Sequence, residues 1–138
     1  MIAPRPYSQI IERIRHAGLR PTRQRLDLAK LLFDSGDRHV TAEILHGETL
    51  RHGISVSLAT VYNTLNQFTN AGLLREIVVD GDRSYFDTNT SQHHHFYHTD
   101  SGRLEDIAGD DVVMECLPAA PNGMEIERVD VIVRISPV

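Results

Sequence analysis

A chain of 138 residues is one ordinary domain or two small ones sharing a modest core, which excludes a large enzyme. Its 41% apolar and 24% charged residues are those of a globular protein in water, and the start MIAPRPYSQII has neither a signal-peptide core nor a spanning segment, so a cytoplasmic address without membrane contact is expected. The net charge of −5 argues mildly against nucleic acid, but it is segregated: residues 1–30 carry seven basic side chains against Glu12 and Asp27, whereas from Phe86 onward three arginines face ten acids.

Periodicity divides the chain from its start. YSQIIERIRHAGL sets Ile10, Ile14 and Ala17 on one side with arginines opposite and Gly18 as a stop, which predicts a first helix. TRQRLDLAKLLFDSG predicts a second, capped by Thr22, with Leu26, Ala29, Leu32 and Phe33 at helical spacing and an end at Gly36. TAEILHGETLRHG predicts a third from the cap Thr41 to Gly53, with Ile44, Leu45 and Leu50 in the core. SVSLATVYNTLNQFTNAG predicts a fourth from the cap Ser57 to Gly72, burying Leu58, Val61, Leu65 and Phe68.

The outer face of that fourth helix is Ala59, Thr60, Asn63, Gln67 and Asn70, with Tyr62 on the flank. It is polar, short-chained and uncharged, where a solvated helix would carry Lys and Glu. Such side chains suit a major groove, where Asn or Gln pairs with adenine and small methyls meet thymine. GLLREIVVDGDRSYFD then predicts a hairpin, Leu74 to Val79 and Arg83 to Asp87, about a turn at Asp80-Gly81-Asp82. Helices followed by a two-stranded wing make a winged helix-turn-helix whose reading helix begins at Ser57. Thr60, Tyr62 and Asn63 are expected at the bases, Ser57 as a further DNA-binding residue, Arg13, Arg15, Arg20, Arg23 and Arg25 mostly on phosphates, and Arg75 and Arg83 on the DNA backbone near the wing.

In QHHHFYHTDSGRLED, an extended strand puts His93 and His95 on one face and His94, with His98, on the other. The remainder predicts a short helix at DDVVMECL, residues 110–117, a linker marked by Pro118 and Pro121, and a strand in RVDVIVRI with Val129, Val131, Val133 and Ile135 on one face. This is too little chain for a stable core, so a second copy is expected to cover it. The expected class is α+β: an N-terminal winged helix-turn-helix over residues 1–88, then a small α/β dimerisation domain over 89–138.

HVTAEIL, SLATVYNTLNQFTNAGLL and HHHFYHTDSGRLED, in this order and spacing, resemble the ferric uptake regulator superfamily over nearly the whole chain. The resemblance implies a transcription regulator, not an enzyme, that binds palindromic operator DNA as a homodimer, with higher order left open. It also implies a regulatory metal site at the hinge, drawn from His39, Asp87, His93, His95 and Asp106; imidazole and carboxylate donors suit Mn²⁺, Fe²⁺ or Zn²⁺. The Cys-x-x-Cys pairs of many relatives are absent, the first falling at His98 and Ser101, so no structural four-cysteine zinc is expected; Cys116 stands alone. Where a second metal site would have its flanking ligands, the chain has Gln92 and His94.

These losses, beside an intact triple histidine, resemble the iron response regulator branch, which implies that haem weakens DNA binding. His93, His94, His95 and His98 are then the haem candidates, with His94 and His98 free of the metal site. The alternative is a repressor activated by a divalent metal. A small metalloenzyme is the weakest reading, because no general base or apolar cleft is evident and the reading helix would go unexplained.

Overall fold

The computed structural model describes residues 8–138; MIAPRPY, with Arg5 and the first residue of the predicted first helix, lies outside the described residues. The chain divides into two compact units, Met1–Thr90 and Ser91–Val138.

The first unit runs α1 (Ser8–His16), α2 (Arg23–Phe33), β1 (His39–Val40), α3 (Ala42–Arg51), α4 (Leu58–Asn70), β2 (Arg75–Asp80) and β3 (Arg83–Asp87). The three caps expected from the sequence close their helices: Thr22, Thr41 and Ser57 accept from the backbone N–H three residues on, in Arg25, Ile44 and Thr60. Helix α4 ends in a Schellman turn, with Gly72 N–H donating to Thr69 O and Leu73 N–H to Phe68 O. Gly72 sits at φ +83°, where a side chain would be strained, and this lets the chain reverse directly into β2.

The core gathers Leu28, Ala29 and Leu32 of α2, Leu45 of α3, Val61, Leu65 and Phe68 of α4, and Phe86 of β3. Each such fully buried Leu or Phe contributes about 1.5–3 kcal/mol. Three expected core residues are not there: Ile44 is 46% exposed, Leu50 is 65% exposed, and Leu58, the first residue of α4, is 36% exposed. The buried stripe of α3 is Ala42, Leu45 and Thr49, at spacings of three and four, and Ile44 and Leu50 lie a step of helix rotation off it. Thr49 can occupy the stripe because its hydroxyl donates to His46 O at 2.6 Å.

The predicted hairpin forms, with β2 antiparallel to β3 and a register shift between Val78 and Asp80. A strand the sequence did not signal, β1, pairs antiparallel with β3 and places His39 opposite Asp87.

The second unit is a three-stranded sheet in the order β5-β4-β6, built from β4 (His94–His98), β5 (Leu104–Ile107) and β6 (Ile132–Ile135). β4 runs antiparallel to β5 and parallel to β6. The expected strand at the C-terminal end is shorter than its alternation, beginning at Ile132 rather than Val129. The helix expected at residues 110–117 does not form: this segment holds no regular structure, with Val113 75% and Leu117 51% exposed. Eight residues with two adjacent valines cannot nucleate a helix without a surface to pack on. Among the described residues, no helix is long and apolar enough to cross a membrane.

Candidate metal centre and nucleic-acid interface

In the second unit, sheet register builds a donor cluster. His95 on β4 lies directly opposite Asp106 on β5, and His93, two residues before His95, falls on the same face as strand parity requires. Nε2 of His93 and Nε2 of His95 each approach Oδ1 of Asp106 at 3.3 Å, and the two rings are 4.5 Å apart. His93 Nδ1 donates to Ser91 O at 2.7 Å, since a carbonyl can only accept. In a neutral His93 ring Nε2 is therefore a bare lone pair, aimed at a carboxylate oxygen. Two acceptors stay that close only with a proton or a cation between them, so the donor set fits a divalent ion. His95 is almost fully buried, and Asp106 is half exposed.

In the first unit the β1–β3 pairing brings His39 Nε2 to 3.1 Å from Asp87 Oδ2. Asp87 is buried, and its other oxygen, Oδ1, accepts from Asn89 N–H at 2.9 Å. Each unit thus presents an oriented group of imidazole and carboxylate donors.

His94 and His98 point away from His93 and His95, as parity requires, yet both are engaged. Val131 N–H donates to His94 Nδ1 at 3.0 Å, so that nitrogen carries no proton and, in a neutral ring, Nε2 does. His98 Nε2 lies 3.1 Å from the Arg103 guanidinium and 3.6 Å from Glu105.

On α4 the residues exposed are Leu58, Ala59, Tyr62, Asn63, Asn66, Gln67 and Asn70, with Thr60 half exposed. Ser57 and Thr60 also bond to each other through their hydroxyls at 3.0 Å. Asn66, four residues after Tyr62, extends the polar face and was not singled out from the sequence. Gln67 is held by Arg25, whose guanidinium donates to Gln67 Oε1 at 3.0 Å and to Arg20 O at 2.8 Å. Arg25 therefore ties α4 to the start of α2, whereas it was expected on phosphate.

Arg13 stacks over the Phe33 ring at 3.9 Å, Arg23 is exposed beside Asp27, and Arg15, Arg20 and Arg83 are exposed. Arg75, expected on the DNA backbone, is 4% exposed, which removes its guanidinium from any phosphate. Glu43, unremarked in the sequence, accepts from the Tyr62 hydroxyl at 2.7 Å. That bond, helped by a backbone N–H, holds the Glu43 carboxyl below the usual glutamate range, and the carboxylate pushes the Tyr62 hydroxyl above the usual tyrosine range.

The model of the ferric uptake regulator family matches residues 16–134. The chain belongs to the ferric uptake regulator family. It is accordingly a transcription regulator of that family. The ferric uptake regulation protein of Shigella flexneri is 34% identical over 100 residues, covering 72% of this chain and 68% of that protein. The solved ferric uptake regulator of Vibrio cholerae superposes with a TM-score of 0.74 at 25% identity, over 93% of this chain and 99% of that one. The structure of the Pseudomonas aeruginosa ferric uptake regulator with manganese gives 0.68 at 26% identity, over 91% and 96%. None of these matches distinguishes the iron response regulator branch within the ferric uptake regulator family.

Proposed function

We infer that this ferric uptake regulator family member is a divalent-metal-responsive regulator that binds operator DNA as a homodimer in the cytoplasm. Residues 1–88 act as the DNA-binding part and residues 89–138 as the dimerisation and sensing part. The observation that carries the metal reading is the facing of the His93 lone pair and the Asp106 carboxylate, with His95 converging on the same oxygen. Mn²⁺, Fe²⁺ or Zn²⁺, when bound, supplies a positive centre for imidazole and carboxylate donors together. Ser91 fixes the tautomer of His93, and the sheet register fixes Asp106 opposite His95. His39 and Asp87 are further donors in this reading, as the resemblance implies, and the manganese in the Pseudomonas aeruginosa relative supports a divalent ion in the family.

Haem ranks second. A haem iron takes an imidazole lone pair, and the Nδ1 lone pair of His94 is already occupied by Val131 N–H. Calorimetry separates the readings: Mn²⁺ should bind the wild-type protein and bind His93→Ala and Asp106→Ala at least tenfold more weakly. A Soret shift on adding haem, abolished by His94→Ala and with no measurable Mn²⁺ binding, would overturn the metal reading in favour of haem.

A further inference from the structure

Tyr62 reaches out from the reading helix, 40% exposed, yet its hydroxyl is not left to choose its own partner. It donates to Oε1 of Glu43 at 2.7 Å, a bond from α4 back to the first turn of α3. A phenol has one proton to donate and lone pairs with which to accept. Once the proton lies on a carboxylate, the oxygen can only accept from anything in front of it, and donation to an anion makes it a stronger acceptor. The two groups also shift each other's proton affinities in the sense of a bond held in place, Glu43 downward and Tyr62 upward.

In the major groove the base edges differ by this property: adenine N6 and cytosine N4 are amino donors, whereas guanine O6 and N7 and thymine O4 only accept. We propose that Glu43 is a positioning residue that makes Tyr62 an acceptor-only reader, so that the reading helix selects a base with an exocyclic amino group opposite Tyr62. An oxo group there would set two acceptors against each other, with no proton to join them. The inference rests on α4 being the reading helix. It goes beyond that assignment by naming the base chemistry one side chain accepts and the residue, absent from the reading helix, that imposes it.

Glu43 also has a purely structural role available, since a carboxylate in the first turn of α3 favours that helix. The test must therefore read base preference, which helix stability does not move. A duplex is selected from a randomised pool by the wild-type protein. Each adenine is then replaced in turn by hypoxanthine, and each cytosine by uracil, with the partner base adjusted to keep the pairing; each replacement turns an amino group into an oxo group. Affinity is measured for the wild type, Tyr62→Phe, Glu43→Ala and Glu43→Gln.

The expected result is one position per half-site where the wild type discriminates roughly tenfold more than Tyr62→Phe. Glu43→Ala should lose that discrimination, because its Tyr62 hydroxyl is free to donate to the oxo group. Glu43→Gln should keep it, because an amide oxygen still accepts the phenolic proton. If Glu43→Ala discriminates like the wild type, or if Tyr62→Phe keeps the preference that Glu43→Ala loses, the proposal is overturned while the reading helix stands. If Tyr62→Ala and Asn63→Ala bind the duplex as tightly as the wild type at matched salt, the reading-helix assignment itself fails and the proposal with it.

Discussion

At the scale of single residues, the informative contacts are those in which a neighbour decides what a side chain can do. Ser91 leaves His93 with one lone pair and aims it, and Glu43 removes the proton from Tyr62's repertoire. The second contact gives a pH expectation with a definite sign. Glu43 has a depressed folded-state value, so the stability its charged bond to Tyr62 contributes is fully present above the ordinary glutamate pKa and is lost as pH falls through the depressed one. Carboxyl NMR titration should place its midpoint below that of an unperturbed glutamate, and Tyr62→Phe should return it toward the ordinary range. A midpoint unchanged by Tyr62→Phe would mean the hydroxyl is not the cause. Arg38 clamps Glu48 with both terminal guanidinium nitrogens and also donates to Leu31 O at 3.0 Å, at a half-buried site. Arg38→Ala should destabilise the first unit by about 1.5–3 kcal/mol, measured by urea unfolding, because Glu48 and Leu31 O both lose a charged donor.

At the scale of elements, the helices were legible because each is written twice in the sequence, once as an apolar stripe and once as punctuation. Thr22, Thr41 and Ser57 open α2, α3 and α4, and the wing follows from two β-rich runs around Asp80-Gly81-Asp82. Ser57→Ala should cost about 1 kcal/mol in stability and weaken DNA binding as the first turn of α4 frays, whereas Leu50→Ala on the exposed side of α3 should leave both nearly unchanged. A chemical denaturation series with a matched DNA titration checks the pair. What escaped the sequence has a common cause, dependence on partners far along the chain. β1 is two residues that exist only by pairing with β3, and the burial of Arg75 and the bracing of Gln67 by Arg25 come from packing, not local pattern. Residues 110–117 show the converse, where an amphipathic pattern without a surface to cover stays irregular.

At the scale of the whole molecule, the donor cluster was legible in part. Alternation along β4 predicts that His93 and His95 share a face, but only the β4–β5 register brings Asp106 opposite His95. The occupation of His94 by Val131, thirty-seven residues away, leaves no trace in either local sequence, which is why His94 read as available. The second unit leaves Val113, Leu117, Met124 and Ile126 exposed around a three-stranded sheet, consistent with a second copy as their cover. Sedimentation should accordingly give a particle of about twice the 15.5 kDa chain mass, and a monomer at micromolar concentration would contradict the dimer reading.

The central claim is that metal at the His93–His95–Asp106 donors sets DNA affinity. It is tested most directly by fluorescence anisotropy of a duplex selected by the protein in Mn²⁺, titrated with Mn²⁺ present and again with a chelator, for the wild type and His95→Ala. The wild type should bind at least tenfold more tightly with Mn²⁺, and His95→Ala should bind at the chelated level under both conditions. Equal affinity of the wild type with and without the ion, or a full Mn²⁺ response in His95→Ala, would contradict it.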